Sequence, residues 1–263
     1  MDAEQILHVI VNAQNAASLQ ERQMAEQIFE QMKISDPRSA ATTATALAEI
    51  NRPLEARIFG FGMLHHLVKN RWQEFSADEH VHLARLAADR LKEVGNAGND
   101  CWAIKCKASA LFAEVLRQEG VSSWGLLLPE VLSLASIGPS QAELVAMVLR
   151  WVPEDVTVHN EDILGLQMQA LLKGLLAALP EILPFLYKML DQHFGAAVTA
   201  AQAGSTQAAR AHAAAVDATL SAVQAYADWA PVPMFAQHGL LDACGHLLAS
   251  TDFQLQACSF LRQ

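Results

Sequence analysis

Apolar side chains recur along this chain every three to four residues, in stretch after stretch, and the stretches come in pairs joined by short polar or proline-marked turns. A helix with one apolar face must cover it with another element, so a chain written this way is committed to helix-on-helix packing. Ile6, Val9, Ile10 and Ala13 form the face of a first helix from Asp2 to Ala17, and Ser18 caps a second that carries Leu19, Met24, Ile28, Phe29 and Met32. Asp36-Pro37 breaks the chain, a weak Ala/Thr-rich helix from Ser39 to Ile50 follows, and Pro53 opens its partner. Ser76 and Glu79 spell the capping box S-x-x-E at the head of the third pair, with Val81, Leu83, Leu86, Ala87 and Leu91 facing inward. Its second member, Asn99 to Glu119, presents Trp102, Ile104, Ala108, Leu111, Phe112, Val115 and Leu116 and stops at Gly120.

The same grammar continues. Ser122-Ser123-Trp124 leads into LLLPEVLSLAS, and Gly138-Pro139 turns into a helix whose Leu144, Val145, Val148, Leu149 and Val152 share a face. A long apolar helix follows from Glu161, with a kink expected near Pro180 and Pro184 because each proline removes a helix hydrogen bond. Residues 195 to 215 are rich in Gly, Ala, Ser and Gln and read as a mobile loop, giving way from about Ala209 to a helix with Val216, Leu220, Val223, Ala227 and Trp229. Pro231 and Pro233 open PMFAQHGLLDACGHLLAS, and Asp252 starts a last helix on which Leu255, Phe260 and Leu261 lack a following neighbour. The pairs return every 35 to 50 residues or roughly so, the spacing of HEAT-like repeats. The expected fold is therefore all-α, a right-handed alpha-alpha superhelix (solenoid) of about five to six antiparallel pairs, running as one array through 1–263 and continuing past it.

Composition narrows the classes. Of the 263 residues 52% are hydrophobic and 17% charged, enough for a large core. The formal charge of −10 disfavours phosphate binding by this segment and suits a basic partner. Four cysteines without a CxxC pair, Cys101, Cys106, Cys244 and Cys258, read as small buried hydrophobes of a reducing compartment. The N-terminus lacks the basic region of a signal peptide, and the apolar stretch near 163 to 190 is interrupted by charges and prolines, so no membrane partner is expected. No G-x-S-x-G, Walker or H-E-x-x-H motif occurs. His65-His66 are adjacent and point about a right angle apart on a helix, and His238, Cys244 and His246 lack the paired spacing of a zinc site. No enzyme, metal or cofactor is expected.

The second pair's inner helix, PLEARIFGFGMLHHLVKNRW, has Ile58, Phe61, Leu64 and Val68 at helical spacing, with Phe59 and Leu67 widening the stripe. Gly60 and Gly62 thin it, permitting close approach by a neighbouring helix or a partner. Lys69, Asn70, Arg71 and Trp72 end it with two cations and an indole, where positive charge suits the helix dipole.

That helix, with its Lys-Asn-x-Trp turn, resembles the second repeat of karyopherin-beta transport receptors. DCWAIKCKASALFAEVLRQEG followed by SSWGLLLPEVLSL resembles the opening of the exportin-1-like region, while QAELVAMVLRWVPEDV and LSAVQAYADWAPVPMF resemble the exportin-5/HASTY branch. Gln118-Glu119-Gly120-Val121-Ser122 departs from that pattern, where relatives carry a basic residue, Trp and Pro. The resemblance divides the chain into an importin-beta N-terminal-like part, 1–95, and an exportin-1-like part, 96–263. It implies an N-terminal portion of a nuclear export receptor that shuttles between nucleus and cytoplasm, binds Ran-GTP, meets nucleoporins, and exports structured RNA such as microRNA precursors or tRNA. RNA contact would fall mainly beyond residue 263. The Ran-facing residues that carry over are Phe59, Gly62, His66, Lys69 and Asn70. The competing reading is a HEAT-repeat scaffold for protein–protein interaction without Ran or RNA, in which the basic turn is only solvated.

Overall fold

A computed structural model of the protein describes residues 3–15, 19–97, 101–157 and 165–262. Thirteen α-helices and one single-turn 3-10 helix make up its regular structure, and no strand occurs among the described residues. The chain divides into two compact units, Met1–Gln118 and Glu119–Gln263.

The first unit contains α1 (Ala3–Asn15), α2 (Leu19–Ile34), α3 (Pro37–Leu47), α4 (Leu54–Arg71), the single turn Trp72–Glu74, α5 (Ala77–Ala97) and all but the last residue of α6 (Trp102–Glu119). α4 is its axis, in contact with α1, α2 and α3. Its buried side chains fall in adjacent couples, Ala56/Arg57, Gly60/Phe61, Met63/Leu64 and Leu67/Val68, one turn apart. Phe61, Leu64 and Leu67 are sealed from solvent, each contributing about 1.5–3 kcal/mol of burial. Ile58 and Phe59 are only half-buried, so the core stripe is rotated towards Met63 from the sequence expectation.

The chain breaks at Asp36-Pro37 as expected, between the end of α2 at Ile34 and α3, which starts at Pro37 rather than Ser39. The Asp36 carboxylate accepts from Ser39 N at 2.8 Å as the N-cap, and Pro37 occupies the first turn, where its missing N–H costs nothing. The Ser76/Glu79 capping box forms as expected: Ser76 N donates to Glu79 Oε2 at 2.7 Å, and Glu79 N donates to Ser76 Oγ at 3.4 Å. Ile6, Ile10, Ile28, Met32, Leu83, Ala87 and Leu91 are buried, and so are Ile104, Ala108, Leu111, Phe112, Val115 and Leu116 on α6. Met24, Val81 and Trp102 do not join them; Trp102, at the first position of α6, is 67% exposed. Ser18 as a cap lies outside the described residues.

In the second unit are α7 (Val121–Leu134), α8 (Pro139–Thr157), α9 (Gly165–Gln202), α10 (Thr206–Ala227), α11 (Val232–Gln237), α12 (Leu240–Leu247) and α13 (Gln254–Leu261). α10 packs on both α8 and α9. Leu144, Val145, Val148, Leu149 and Val152 are buried on α8 as the periodicity requires, and Val216, Leu220 and Val223 on α10. The loop expected over 195–215 is not there. α9 runs to Gln202, a connection over Ala203–Ser205 turns at Gly204 (φ +74°), and α10 begins at Thr206. Alanine is the best helix former, and a run of it needs no large apolar groups when neighbouring helices supply the packing. His193 precedes that turn and His212 follows it, and their Nδ1 atoms meet at 2.9 Å, so the two helices form an antiparallel hairpin. Burial, then the neighbouring His212, holds the His193 imidazole below its ordinary pKa, in the neutral form.

Within α9, the stretch Gln169–Gln202 is long and apolar enough by length and composition to cross a membrane. Leu171, Leu175, Leu179, Ile182, Leu183, Leu186, Met189 and Leu190 are nevertheless buried inside the unit, which makes it a core helix here. The helix continues through Pro180 and Pro184. Phe260 is buried against the preceding Phe235, ring centres 5.5 Å apart, whereas Leu255 and Leu261 are exposed. The cysteines are free. Only Cys244 is fully buried, with its thiol pushed up to about 12 by burial, and Cys101 is exposed rather than internal.

Candidate functional site

At about 100° per residue, positions 59, 66 and 70 of α4 fall in one row, with 62 and 69 on its flank. The structure brings the five residues expected at the partner-facing surface onto a single strip of α4. α2 borders it on one side: the Phe29 ring meets Phe59 edge-on at 5.1 Å, and Lys33 Nζ sits 4.7 Å from the Phe29 ring centre. Lys33 also pairs with Glu30 at 2.7 Å. α6 borders the other side, where His65 Nε2 lies 3.9 Å from a carboxylate oxygen of Glu114.

Along the strip the chemistry changes from apolar to cationic. Phe59 is half-buried at the upper end. A Cβ added at Gly62 would meet nothing within 4 Å, so this position is a notch open to solvent. Its neighbour Gly60 is the reverse case, since a Cβ there would lie 2.6 Å from Ala44 O and from Ala48 N on the backbone of the preceding helix and turn. The expectation for the two glycines therefore separates: Gly60 admits α3, and Gly62 admits nothing that this chain supplies among the described residues. One turn on, Asn70 Nδ2 donates to His66 Nδ1 at 3.0 Å and to the His66 carbonyl at 3.2 Å, which fixes the ring. Burial first, then the charges of Lys33 and Arg71, hold His66 below its ordinary pKa and leave it neutral, a polar but uncharged group between cations.

The two cations at the helix end divide. Arg71 Nη1 donates to Lys33 O at 2.9 Å and Ser35 O at 2.6 Å, satisfying carbonyls at the end of α2, while Nε and Nη2 grip Glu74 at 2.7 and 2.6 Å. It is a structural staple. Lys69 is half-exposed and forms no ion pair among the described residues. Trp72 is core, buried and stacked on His80 at 4.0 Å with 7° between the planes.

Sequence reasoning missed the support beneath Lys69. Gln118 Nε2 donates to the Lys69 carbonyl at 3.4 Å and to Glu114 Oε1 at 2.9 Å, and Arg117 Nη2 donates to Glu114 Oε2. Desolvation pushes the Glu114 carboxyl up, but Arg117, Gln118 and His65 outweigh it and keep it below its ordinary value, so the buried group is an anion. The signal was present as Glu114, Arg117 and Gln118 at i, i+3 and i+4 on the otherwise apolar face of α6. Among the described residues no group of three or more His, Cys, Asp or Glu side chains is placed to hold a metal ion.

The exportin 1-like protein family (Xpo1) matches residues 102–261. Protein HASTY 1 of Arabidopsis thaliana is 43% identical over 241 residues, covering 92% of this chain and 20% of that protein. Exportin-5 of Homo sapiens is 31% identical over 118 residues, 43% of this chain and 10% of its own length, and exportin-5 of Dictyostelium discoideum 22% identical over 209 residues, 77% and 18%. The chain thus spans about one-fifth of the length of the curated relatives it matches. Helix pairs of the HEAT-repeat class, an exportin 1-like match over most of the second unit and sequence identity with HASTY 1 over nearly the whole chain place this protein in the exportin family of karyopherins.

Proposed function

We propose that this chain is the N-terminal portion of a nuclear export receptor of the exportin-5/HASTY branch. In this reading residues 1–95 present the strip of Phe59, Gly62, His66, Lys69 and Asn70 to the GTP form of Ran, and residues 96–263 begin the exportin-1-like region. The observation that carries it is the 43% identity with HASTY 1 across 92% of the chain. The receptor passes between nucleus and cytoplasm through contacts with nucleoporins, and its cargo is structured small RNA, microRNA precursors or tRNA. With a formal charge of −10, this segment is poorly suited to hold phosphates, so cargo is bound mainly by parts of the receptor outside these residues.

Lys69 tests the Ran assignment. Its ammonium has no internal partner among the described residues, whereas its carbonyl is held by Gln118, so a side-chain change leaves the support intact. Truncating a desolvated interface charge costs about 2–5 kcal/mol. In the full-length receptor, Lys69→Glu is expected to weaken binding of Ran-GTP at least about tenfold with the melting temperature nearly unchanged. A titration of both variants against Ran in its GTP and GDP forms decides it. Equal affinities would reduce the basic turn to a helix stop, and failure of the folded wild-type chain to bind Ran-GTP would overturn the reading.

A further inference from the structure

On α9, Tyr187, Leu190, Phe194, Ala197, Val198 and Ala201 recur at three- and four-residue spacing, a row that runs about 21 Å at 1.5 Å per residue. This row is one wall of two cavities of about 200 and 460 Å³, and because both are lined by Phe194 and His246 they form one groove. α12 and its N-cap Gly239 make the facing wall with Asp242, Ala243 and His246, again at helical spacing. Past Phe194 the first turns of α10 join in with Ala209, Arg210 and Ala213. The floor is closed, since Leu190, Leu247 and Phe253 are buried and Phe253 meets Phe194 edge-on at 6.1 Å. The rim is apolar and open: Tyr187 is 39% and Val198 41% exposed, one towards each end. Charge is unevenly placed along it. Asp191 and Asp242 stand at the Tyr187 end, Arg210 and Asp252 at the other, and none of the four forms an ion pair among the described residues. Arg210 and Asp252 offset one another, so the net charge of the groove is that of its acidic end.

We propose that this groove seats an amphipathic helix of another protein, about four turns long, with its apolar stripe on the α9 row and lysine or arginine beside Asp191 and Asp242. The shape specifies a helix. Three walls that are themselves helices, with alanine and glycine facing inward, leave a straight trough into which the ridge of a further helix fits, whereas a compact small molecule would fill only part of its length. The charge specifies the flank. Two unpaired carboxylates at one end of the trough, on a chain of formal charge −10, select cations on the incoming helix and repel an acidic one. The seat lies wholly within the second unit and uses none of the α4 residues, so it stands or falls independently of the Ran assignment.

The test titrates two labelled helical peptides of about 18 residues against the chain by fluorescence anisotropy, at about 0.15 M salt. Both carry leucine along one stripe and alanine elsewhere; lysine flanks the stripe over the first two turns in one, glutamate in the other. The lysine peptide is expected to bind at least about tenfold more tightly than its glutamate twin. Val198→Glu, on the exposed rim, is expected to weaken the lysine peptide at least about tenfold, and Asp191→Lys to cut the preference between the two peptides at least about threefold, each with a melting temperature near that of wild type. Binding of neither peptide by the folded wild-type chain, equal binding of both, or a preference unchanged in Asp191→Lys overturns the proposal. So does a dimer in sedimentation that Val198→Glu disperses, because the occupant would then be a second copy of this chain.

Discussion

Glu79 closes the capping box on Ser76 and also accepts Arg38 Nε at 2.6 Å and Nη2 at 2.9 Å, so one exposed carboxylate starts α5 and ties it to α3. The backbone N–H of Ser76, followed by Arg38, lowers its pKa from 4.5 to about 2. The folded-state value lies below the unfolded one, so the stabilisation is complete above pH 4.5 and is lost as the pH falls towards 2. Carboxyl-resolved NMR titration is expected to give a Glu79 midpoint near 2, and Arg38→Ala should move it upward; a midpoint at the ordinary value in wild type would refute the bidentate grip. The box itself is legible in S-x-x-E, a local pattern. Arg38 is not, because the two residues are 41 positions apart and only folding makes them neighbours. The same limit hid Arg71, read as a dipole partner and found holding the end of α2.

For whole elements, legibility follows how local the cause is. The stripe on α8 and the stop at Gly120 are visible because spacing and a special backbone angle act within a few residues. Residues 195–215 misled because small side chains resemble loop composition, whereas here they are helix surface in an α9–α10 hairpin. In α4 the two glycines look alike in sequence, and only the position of α3 separates them. Gly60→Ala is expected to lower stability by about 1–3 kcal/mol despite alanine's better propensity, because the Cβ would meet backbone atoms at 2.6 Å that cannot turn aside. Denaturant unfolding checks this, and a stability equal to or above wild type would mean α3 shifts freely.

Across the molecule, the two units meet in sequence at a connection one residue long: α6 ends at Glu119 and α7 begins at Val121, with Gly120 at φ +76° and ψ 173° between them. That backbone region is open essentially to glycine alone. Gly120→Ala is expected to cost about 1–3 kcal/mol, read as a lower denaturation midpoint, and an unchanged midpoint would show that the junction relaxes. Outside the α9–α10 hairpin the succession of helix pairs was legible, since each pair announces itself within its own stretch. Where the chain divides was not, because Gln118-Glu119-Gly120 carries no linker composition. The packing of α10 on α8 has a consequence on the ribosome. α8 ends at Thr157 and α10 at Ala227, so about 70 further residues must be synthesised before the helix that packs on α8 and its apolar face is complete. At about 5–20 residues per second, that greasy face waits some 4–14 s for its cover, the interval in which a chaperone has a claim on the nascent chain.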